Sequence, residues 1–144
     1  MFGYYALFEP DLENGGFVVT FPDLNHGATQ GETLEEANEM AEDLLRSIVG
    51  EMMKRGEDLP RATKHRGRKF RMVSLPALQS AKAEFYLAFR VSNVKKAELA
   101  RRMGIPKTNV ERIFDLEHAS RFDLIEAAFH AIGKRIEVRV SDAA

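Results

Sequence analysis

The sequence predicts an α+β chain in two parts: a β-β-β-α-β unit over residues 1–75, and an all-α unit with a terminal strand over residues 76–144. Three observations predict it. Short aromatic and β-branched runs bounded by turn residues fill the first 30 positions, whereas apolar residues at near 3.6-residue spacing dominate after Leu34. A basic stretch at residues 57–69, with no apolar residue except Leu59 and Ala62, interrupts the helical spacing and reads as a linker-like loop within the first part. The net charge of −1 also conceals a division. Residues 1–60 hold three basic side chains (Arg46, Lys54, Arg55) against thirteen acidic ones, a balance of −10, and residues 61–144 hold eighteen against nine, a balance of +9. Such a split points to two parts with different partners.

In chain order, Tyr4 to Glu9 is a short, aromatic, alternating run and reads as a strand. Pro10 to Gly16 carries Pro, Asp, Asn and two Gly, the composition of a hairpin turn. Phe17 to Phe21 is β-branched and aromatic throughout, a second strand that Pro22 ends. The loop from Pro22 to Gly27 leads to a third strand around Ala28 to Gln30. Thr33 and Glu36 stand at capping-box spacing. Leu34, Ala37, Ala41, Leu44, Leu45, Ile48 and Met52 then form one apolar helical stripe, and Gly56 is its stop. Phe70 to Leu75 reads as a fourth strand returning to the same sheet. Pro76 opens a helix to about Arg90 with Leu78, Ala81, Phe85, Ala88 and Phe89 inward.

The segment Val94 to Leu116 has the form of a helix-turn-helix. Ala97, Leu99, Ala100 and Met103 have helical spacing, Gly104 supplies the positive φ that ends the first helix, and Pro106 starts the second. The second helix is expected from Pro106 to Leu116, with Val110, Ile113 and Phe114 inward and Lys107, Thr108, Asn109, Glu111 and Arg112 outward. After a polar break at His118 to Arg121, Phe122 to Ile132 forms a further amphipathic helix that Gly133 stops. This order resembles the Cro/repressor class of DNA-binding domains. Arg135 to Val140 alternates strictly and reads as a strand without a partner in its own helical unit. It is expected to pair with its copy in a second chain through Ile136, Val138 and Val140, giving a homodimer or a higher oligomer.

Composition narrows the function classes. Hydrophobic residues make up 44% of the chain, enough for a core, and no apolar run reaches the length of a membrane span. No basic segment followed by an apolar stretch opens the chain, and there is no cysteine, so a cytoplasmic protein without disulfides is expected. There is no nucleophile triad, no phosphate-cradling Gly loop and no metal-spaced His pair. No enzyme activity, cofactor or bound metal is expected. Glu9, Asp23, Glu32 and Asp43 are the carboxylates that two-metal nuclease chemistry could draw on, but their positions single out no converging set.

Two runs carry a family resemblance: Gly15 to Leu24 (GGFVVTFPDL) and Thr29 to Ala37 (TQGETLEEA). They are similar to the HicB antitoxin family, whose longer members append a Cro/repressor-type helix-turn-helix, so the resemblance spans nearly the whole chain. It implies a degraded RNase H-like first domain over residues 1–75 that binds and occludes HicA, a small basic RNA-cleaving toxin. It also implies a DNA-binding and dimerising domain over residues 76–144 that represses its own operon at an operator. One departure stands in the loop, where the family pattern P-D-L-P-G is replaced by Asn25 and His26 before Gly27. Asn and Gly both tolerate positive φ, so a turn is still expected.

Residue roles follow from type and position. Lys96 aligns with a phosphate-contacting position of the first helix of the motif. Lys107, Asn109 and Arg112 suit base edges, since Lys and Arg pair with guanine N7 and O6, and Asn with adenine N6 and N7. Thr108 and Arg121 suit phosphates. Asp23 and His26, in the loop after the second strand, are the candidate toxin contacts. The alternative from a different class is a stand-alone transcriptional regulator whose N-terminal domain senses a small ligand.

Overall fold

The computed structural model describes residues 1–143. Four strands, β1 (Gly3–Pro10), β2 (Phe17–Thr20), β3 (Thr29–Gly31) and β4 (Phe70–Ser74), form one antiparallel sheet in the order β3-β2-β1-β4. Five helices complete the chain: α1 (Leu34–Lys54), α2 (Ala77–Ser92), α3 (Lys96–Met103), α4 (Lys107–Ile113) and α5 (Phe122–Ala131). This is a mixed α+β architecture, and up to α5 the strand and helix order is the one the sequence predicts.

The sheet is built on alternation. Tyr4, Ala6 and Phe8 of β1 are buried beneath α1, while Tyr5 and Leu7 face the other way and stay half-exposed. β4 returns beside β1 in the register Tyr4–Val73 and Tyr5–Met72, so Val73 joins the covered face and Met72 the open one. α1 lies over the covered face through Ala37, Ala41, Leu45, Ile48, Val49, Met52 and Met53. Leu34 and Leu44, predicted for the same stripe, are half-buried at its margin. At the N-terminus of α1, the Thr33 hydroxyl accepts from the Glu36 N–H (3.1 Å). The Glu36 carboxylate reaches back to the N–H of Glu32 (2.8 Å), one residue before the cap, rather than to Thr33 itself. At the far end Gly56, at φ 68°, closes the helix with Glu57 N–H donating to Met52 O and Gly56 N–H to Met53 O.

In the second half, α2 differs from its expected face. Phe85 is fully buried, but so are Ser80, Lys82, Ala83 and Tyr86, while Leu78, Ala81, Ala88 and Phe89 are only partly buried. The reason is that α2 is covered on two sides, by the first half of the chain and by α5 and the loop after α4. Phe85, Phe89, Phe114 and Phe129 form an aromatic knot with ring centroids 5.0–5.9 Å apart. The buried residues of both halves belong to one continuous apolar cluster. Across it, Ser80 Oγ accepts from Phe2 N–H (3.2 Å), and Tyr86 Oη donates to Glu57 O. The Arg90 guanidinium meets Gly56 O and Asp58 (both 2.6 Å), so a cation sits at the carbonyl end of α1.

The last segment finds no strand partner among the described residues of its own chain, as expected. Residues 135–140 make no strand pairing within the chain, because the helical half offers no strand edge. Ile136 packs against the core, whereas Val138 and Val140 are 74% and 90% exposed. No described helix is long and apolar enough to cross a membrane.

Gly31 shows how tightly α1 is seated. A Cβ there would stand 2.3 Å from Ala37 N and 2.6 Å from Ala37 Cα, both backbone atoms that cannot swing aside. Gly31→Ala is expected to destabilise the fold by about 1–3 kcal/mol, read as a lowered urea midpoint. An unchanged midpoint would show that α1 can slide on the sheet.

Candidate functional site

α3 and α4 are two short helices joined by a three-residue turn. Gly104 takes φ 65°, and the N–H of Ile105 donates back to Ala100 O (3.1 Å), which closes α3 before Pro106 opens α4. Leu99, Ala100, Val110 and Ile113 are buried between the pair and the rest of the helical half. This seating leaves Lys107, Thr108 and Arg112 exposed on α4, with Asn109 half-exposed beside them. Lys107 and Arg112 enter no ion pair among the described residues.

Other cations nearby are engaged. The Lys96 ammonium meets the Glu111 carboxylate (2.9 Å) and lies 4.7 Å from the Phe114 ring centroid. Arg101 and Arg102 both bind Glu98, and their hydrogen bonds, Arg101 first, hold that carboxyl down at about 2. Arg102 also donates to Ala131 O at the end of α5 (2.9 Å). Arg121 is exposed and pairs with Asp123 (2.8 Å). Arg112, Asn109, His118, Ser120 and Arg121 border an open cleft of about 420 Å³ between α4 and the start of α5. Ser120 is buried at its wall, and its hydroxyl has no hydrogen-bond partner.

One buried side chain orders this region. Lys82 of α2 is 1% exposed, and its ammonium donates to the carbonyls of Arg112 (3.0 Å), Asp115 (2.7 Å) and His118 (2.5 Å). Burial pushes its pKa down, while the nearby Asp115 acts to raise it. The carbonyl end of α4 carries partial negative charge, so an ammonium there is well placed. The same convergence explains why α4 stops at Ile113 and not at the expected Leu116: Arg112 and Asp115 turn their carbonyls onto one cation. Sequence reasoning missed Lys82, although its position signals it. It falls four residues after Leu78 and three before Phe85, inside the predicted inward stripe.

In the first half, Asn25 and Gly27 both adopt positive φ (50° and 62°), so the altered loop is the turn its residues allow. Asp23 points inward from it. Its carboxylate accepts from the Thr63 N–H (2.7 Å) and hydroxyl (2.5 Å) and lies 3.3 Å from His65 Nε2. Burial acts to raise the Asp23 pKa, but the Thr63 and His65 contacts together hold it below the ordinary aspartate value. Asp23 thus fastens the basic 57–69 segment to the sheet unit, a role not read from the sequence. His26 is exposed at the rim of an open cleft of about 340 Å³ beside α1, with Ile48, Met52, Glu51, Arg55 and Glu57. Glu35, Glu36, Glu39, Glu42 and Asp43 are all exposed on α1. Among the described residues no three His, Asp or Glu side chains gather as metal ligands. Of the carboxylates considered for metal chemistry, Asp43 pairs with Arg46 (2.9 Å), and Glu9 and Glu32 stand exposed.

With this geometry in place, comparison with known proteins is decisive. The family described as "HicB_like antitoxin of bacterial toxin-antitoxin system" matches residues 3–84. Antitoxin HicB 1 of Photorhabdus laumondii is 36% identical over 137 residues, 95% of this chain and 86% of that protein. The chain belongs to the HicB antitoxin family. Antitoxin HicB of Escherichia coli is 33% identical over 86% of this HicB-family chain and 89% of its own length. Antitoxin HicB of Pseudomonas fluorescens is 31% identical over 96% and 94%. A solved chain described as "Toxin-Antitoxin complex from Streptococcus pneumoniae" has 22% identity and a TM-score of 0.46, over 76% of this chain and 92% of that one.

Two outcomes follow for this HicB-family chain. Lys82→Met leaves the three carbonyls without their cation and is expected to cost on the order of 1–3 kcal/mol, with faster amide exchange across residues 113–121; a wild-type urea midpoint would refute this. Asp23 contributes stability that is complete above the ordinary aspartate pKa and is lost as pH falls through its depressed folded value. Acidification below the ordinary range, or Asp23→Ala at neutral pH, is expected to lower the protection of the Thr63 amide, measured against its intrinsic exchange rate at the same pH, about 10- to 100-fold, as loss of a hydrogen bond to a charged group implies. An unmoved Thr63 amide would mean that the segment is held elsewhere.

Proposed function

We propose that this chain is the antitoxin of a type II pair: it binds and occludes a small basic RNA-cleaving HicA-type toxin and represses its own operon. Residues 1–75 form the toxin-binding domain, a degraded RNase H-like unit, and residues 76–144 the helix-turn-helix domain that binds DNA and dimerises. The observation that carries this reading is family membership sustained along the chain, with relatives named HicB antitoxins aligned over 86–96% of it.

Charge supports toxin binding by the first half. Residues 1–60 carry a balance of −10, and residues 1–75 as a whole −4, so the acidic part before the basic arm suits a basic partner; occlusion of a nuclease needs only that a surface stand where RNA phosphate would lie. His26 and the exposed carboxylates of α1 are available to such a partner. Asp23 contributes by holding its loop rather than through a free carboxylate. The proteins act in the cytoplasm, without catalysis by this chain.

For DNA, Lys107, Asn109 and Arg112 approach base edges, with Thr108 and Arg121 on phosphates. Lys96 reaches phosphate by leaving Glu111, and that exchange makes its contribution dependent on salt. Pairing of Ile136, Val138 and Val140 with their copies covers the exposed tail and brings two reading helices to half-sites about 34 Å apart.

Co-expression with the protein of the adjacent reading frame is expected to yield a stable complex in which RNA cleavage is lost. Cleavage that persists in the presence of excess antitoxin would overturn the occlusion. On DNA from upstream of its own gene, Arg112→Ala is expected to weaken binding about 5- to 150-fold, the worth of one bidentate base contact. Deleting residues 136–140 is expected to halve the mass seen by light scattering; an unchanged mass removes the tail from the interface.

A further inference from the structure

The segment that Asp23 fastens is itself unaccounted for. Arg61, Lys64, Arg66, Arg68 and Lys69 fall within nine residues, and all five are exposed. No acidic residue occurs between Asp58 and Glu84. Elsewhere Arg46, Arg55, Arg90, Arg101, Arg102, Arg121 and Arg135 each sit against a carboxylate. Among the described residues none of these five does. The carboxylate that bonds to this segment, Asp23, is already committed to Thr63 and His65.

The arm is also held in place. Tyr4 Oη donates to Pro60 O (2.7 Å), Thr63 is bound by Asp23, Phe70 N–H donates to Gly67 O (3.2 Å), and Phe8 N–H donates to Lys69 O (2.7 Å). Its charges are therefore presented without the ordering cost of a free tail. His65 within the segment and Phe70 directly after it belong to an aromatic ledge. His65 stacks on Phe70, with ring centroids 4.9 Å apart and planes 16° from parallel, and Tyr5 approaches the His65 edge at 6.3 Å. By strand register Met72, 48% exposed, lies beside Tyr5 on the sheet face that α1 leaves open.

We propose that the 61–69 arm and the Tyr5–His65–Phe70 ledge form a second nucleic-acid site, separate from α4, for a single-stranded segment. Clustered unpaired cations track a phosphate backbone, and flat rings between them stack unpaired bases, which a duplex keeps inside its own stack. A basic protein is repelled by this arm, so the surface is complementary to nucleic acid and not to the toxin proposed above. RNA and DNA share this chemistry, and the test separates them.

The full-length chain is titrated by fluorescence anisotropy with a labelled 12-nucleotide oligo(U), the matching oligo(dT), and a 12-residue glutamate peptide, each at several salt concentrations. Wild type is expected to bind an oligonucleotide, and tighter oligo(U) binding identifies RNA as the ligand. Replacing Arg66, Arg68 and Lys69 by Ser, all at exposed positions, is expected to weaken binding at least tenfold and to lower the salt slope by about 2, at about 0.7 per phosphate contact. Phe70→Leu is expected to weaken binding about fivefold or more with the slope unchanged, as loss of a stacked base implies. The double variant Lys107→Ala, Arg112→Ala is expected to retain wild-type affinity for the oligonucleotide. The proposal is overturned if wild type binds neither oligonucleotide, if the triple-Ser variant binds as well as wild type, if the α4 variant is the one that fails, or if the glutamate peptide binds equally well.

Discussion

A buried ammonium fixes the helical half of this chain. Lys82 is almost wholly removed from water, a placement that is tolerable only because three carbonyls converge on its Nζ. Those carbonyls belong to the end of α4 and to the loop that leads to α5, so one side chain of α2 dictates where α4 stops and how Ser120 and Arg121 follow it. The same helix also bonds to the first half of the chain, through Ser80, Tyr86 and Arg90, whose partners are Phe2, Glu57, Gly56 and Asp58. α2 is therefore the element on which both halves are registered. The aromatic knot around Phe85 supplies apolar burial at the same place, but burial is non-directional, and the polar contacts of α2 set the angle.

The charge division of the sequence becomes a division of surfaces. Carboxylates crowd the exposed side of α1, while unpaired cations stand on α4 and on the 61–69 arm. The intervening cations are largely consumed internally: Arg90 closes the carbonyl end of α1, and Arg101 and Arg102 are fanned around Glu98. What separates a candidate contact from a structural cation here is whether a carboxylate or carbonyl has already claimed it. By that criterion Lys107 and Arg112 are free to meet a ligand, whereas Lys96 must first give up Glu111.

Much of the architecture was legible because local signals agreed. Period-two alternation in β1, the Thr33 cap, Gly56 and Gly104 at helix ends, and Pro76 and Pro106 at helix starts all point to the elements that form. Two of the misses turn on a long-range polar contact, made by Lys82 and by Asp23. Lys82 is absent from the inward stripe read in the sequence because of its side-chain type, yet its place between Leu78 and Phe85 signals burial. The early end of α4 follows from the same miss. Asp23 looked like a free loop carboxylate because its partners, Thr63 and His65, lie 40 and 42 residues away. Residues 135–140 have strand alternation and, as their place after a helical unit implies, no strand partner among the described residues. The residues on α4 were readable by type and exposure, since the turn geometry around Gly104 leaves little choice of outward face.

The arrangement also bears on how two partner surfaces can coexist in so short a chain. If the halves were joined by a free linker, binding at one would leave the other indifferent. Here the 57–69 segment is tied to the sheet by Asp23 and Tyr4, and Arg90 ties its first residues to α2. A ligand that displaces the segment must break the Asp23–Thr63 bonds, while one that shifts the start of the segment disturbs Arg90, and through α2 the seat of Lys82. Coupling between sites needs an element that both ligands bias. In this chain the 57–69 segment and α2 are each bonded to both halves, which is the contact pattern such an element needs.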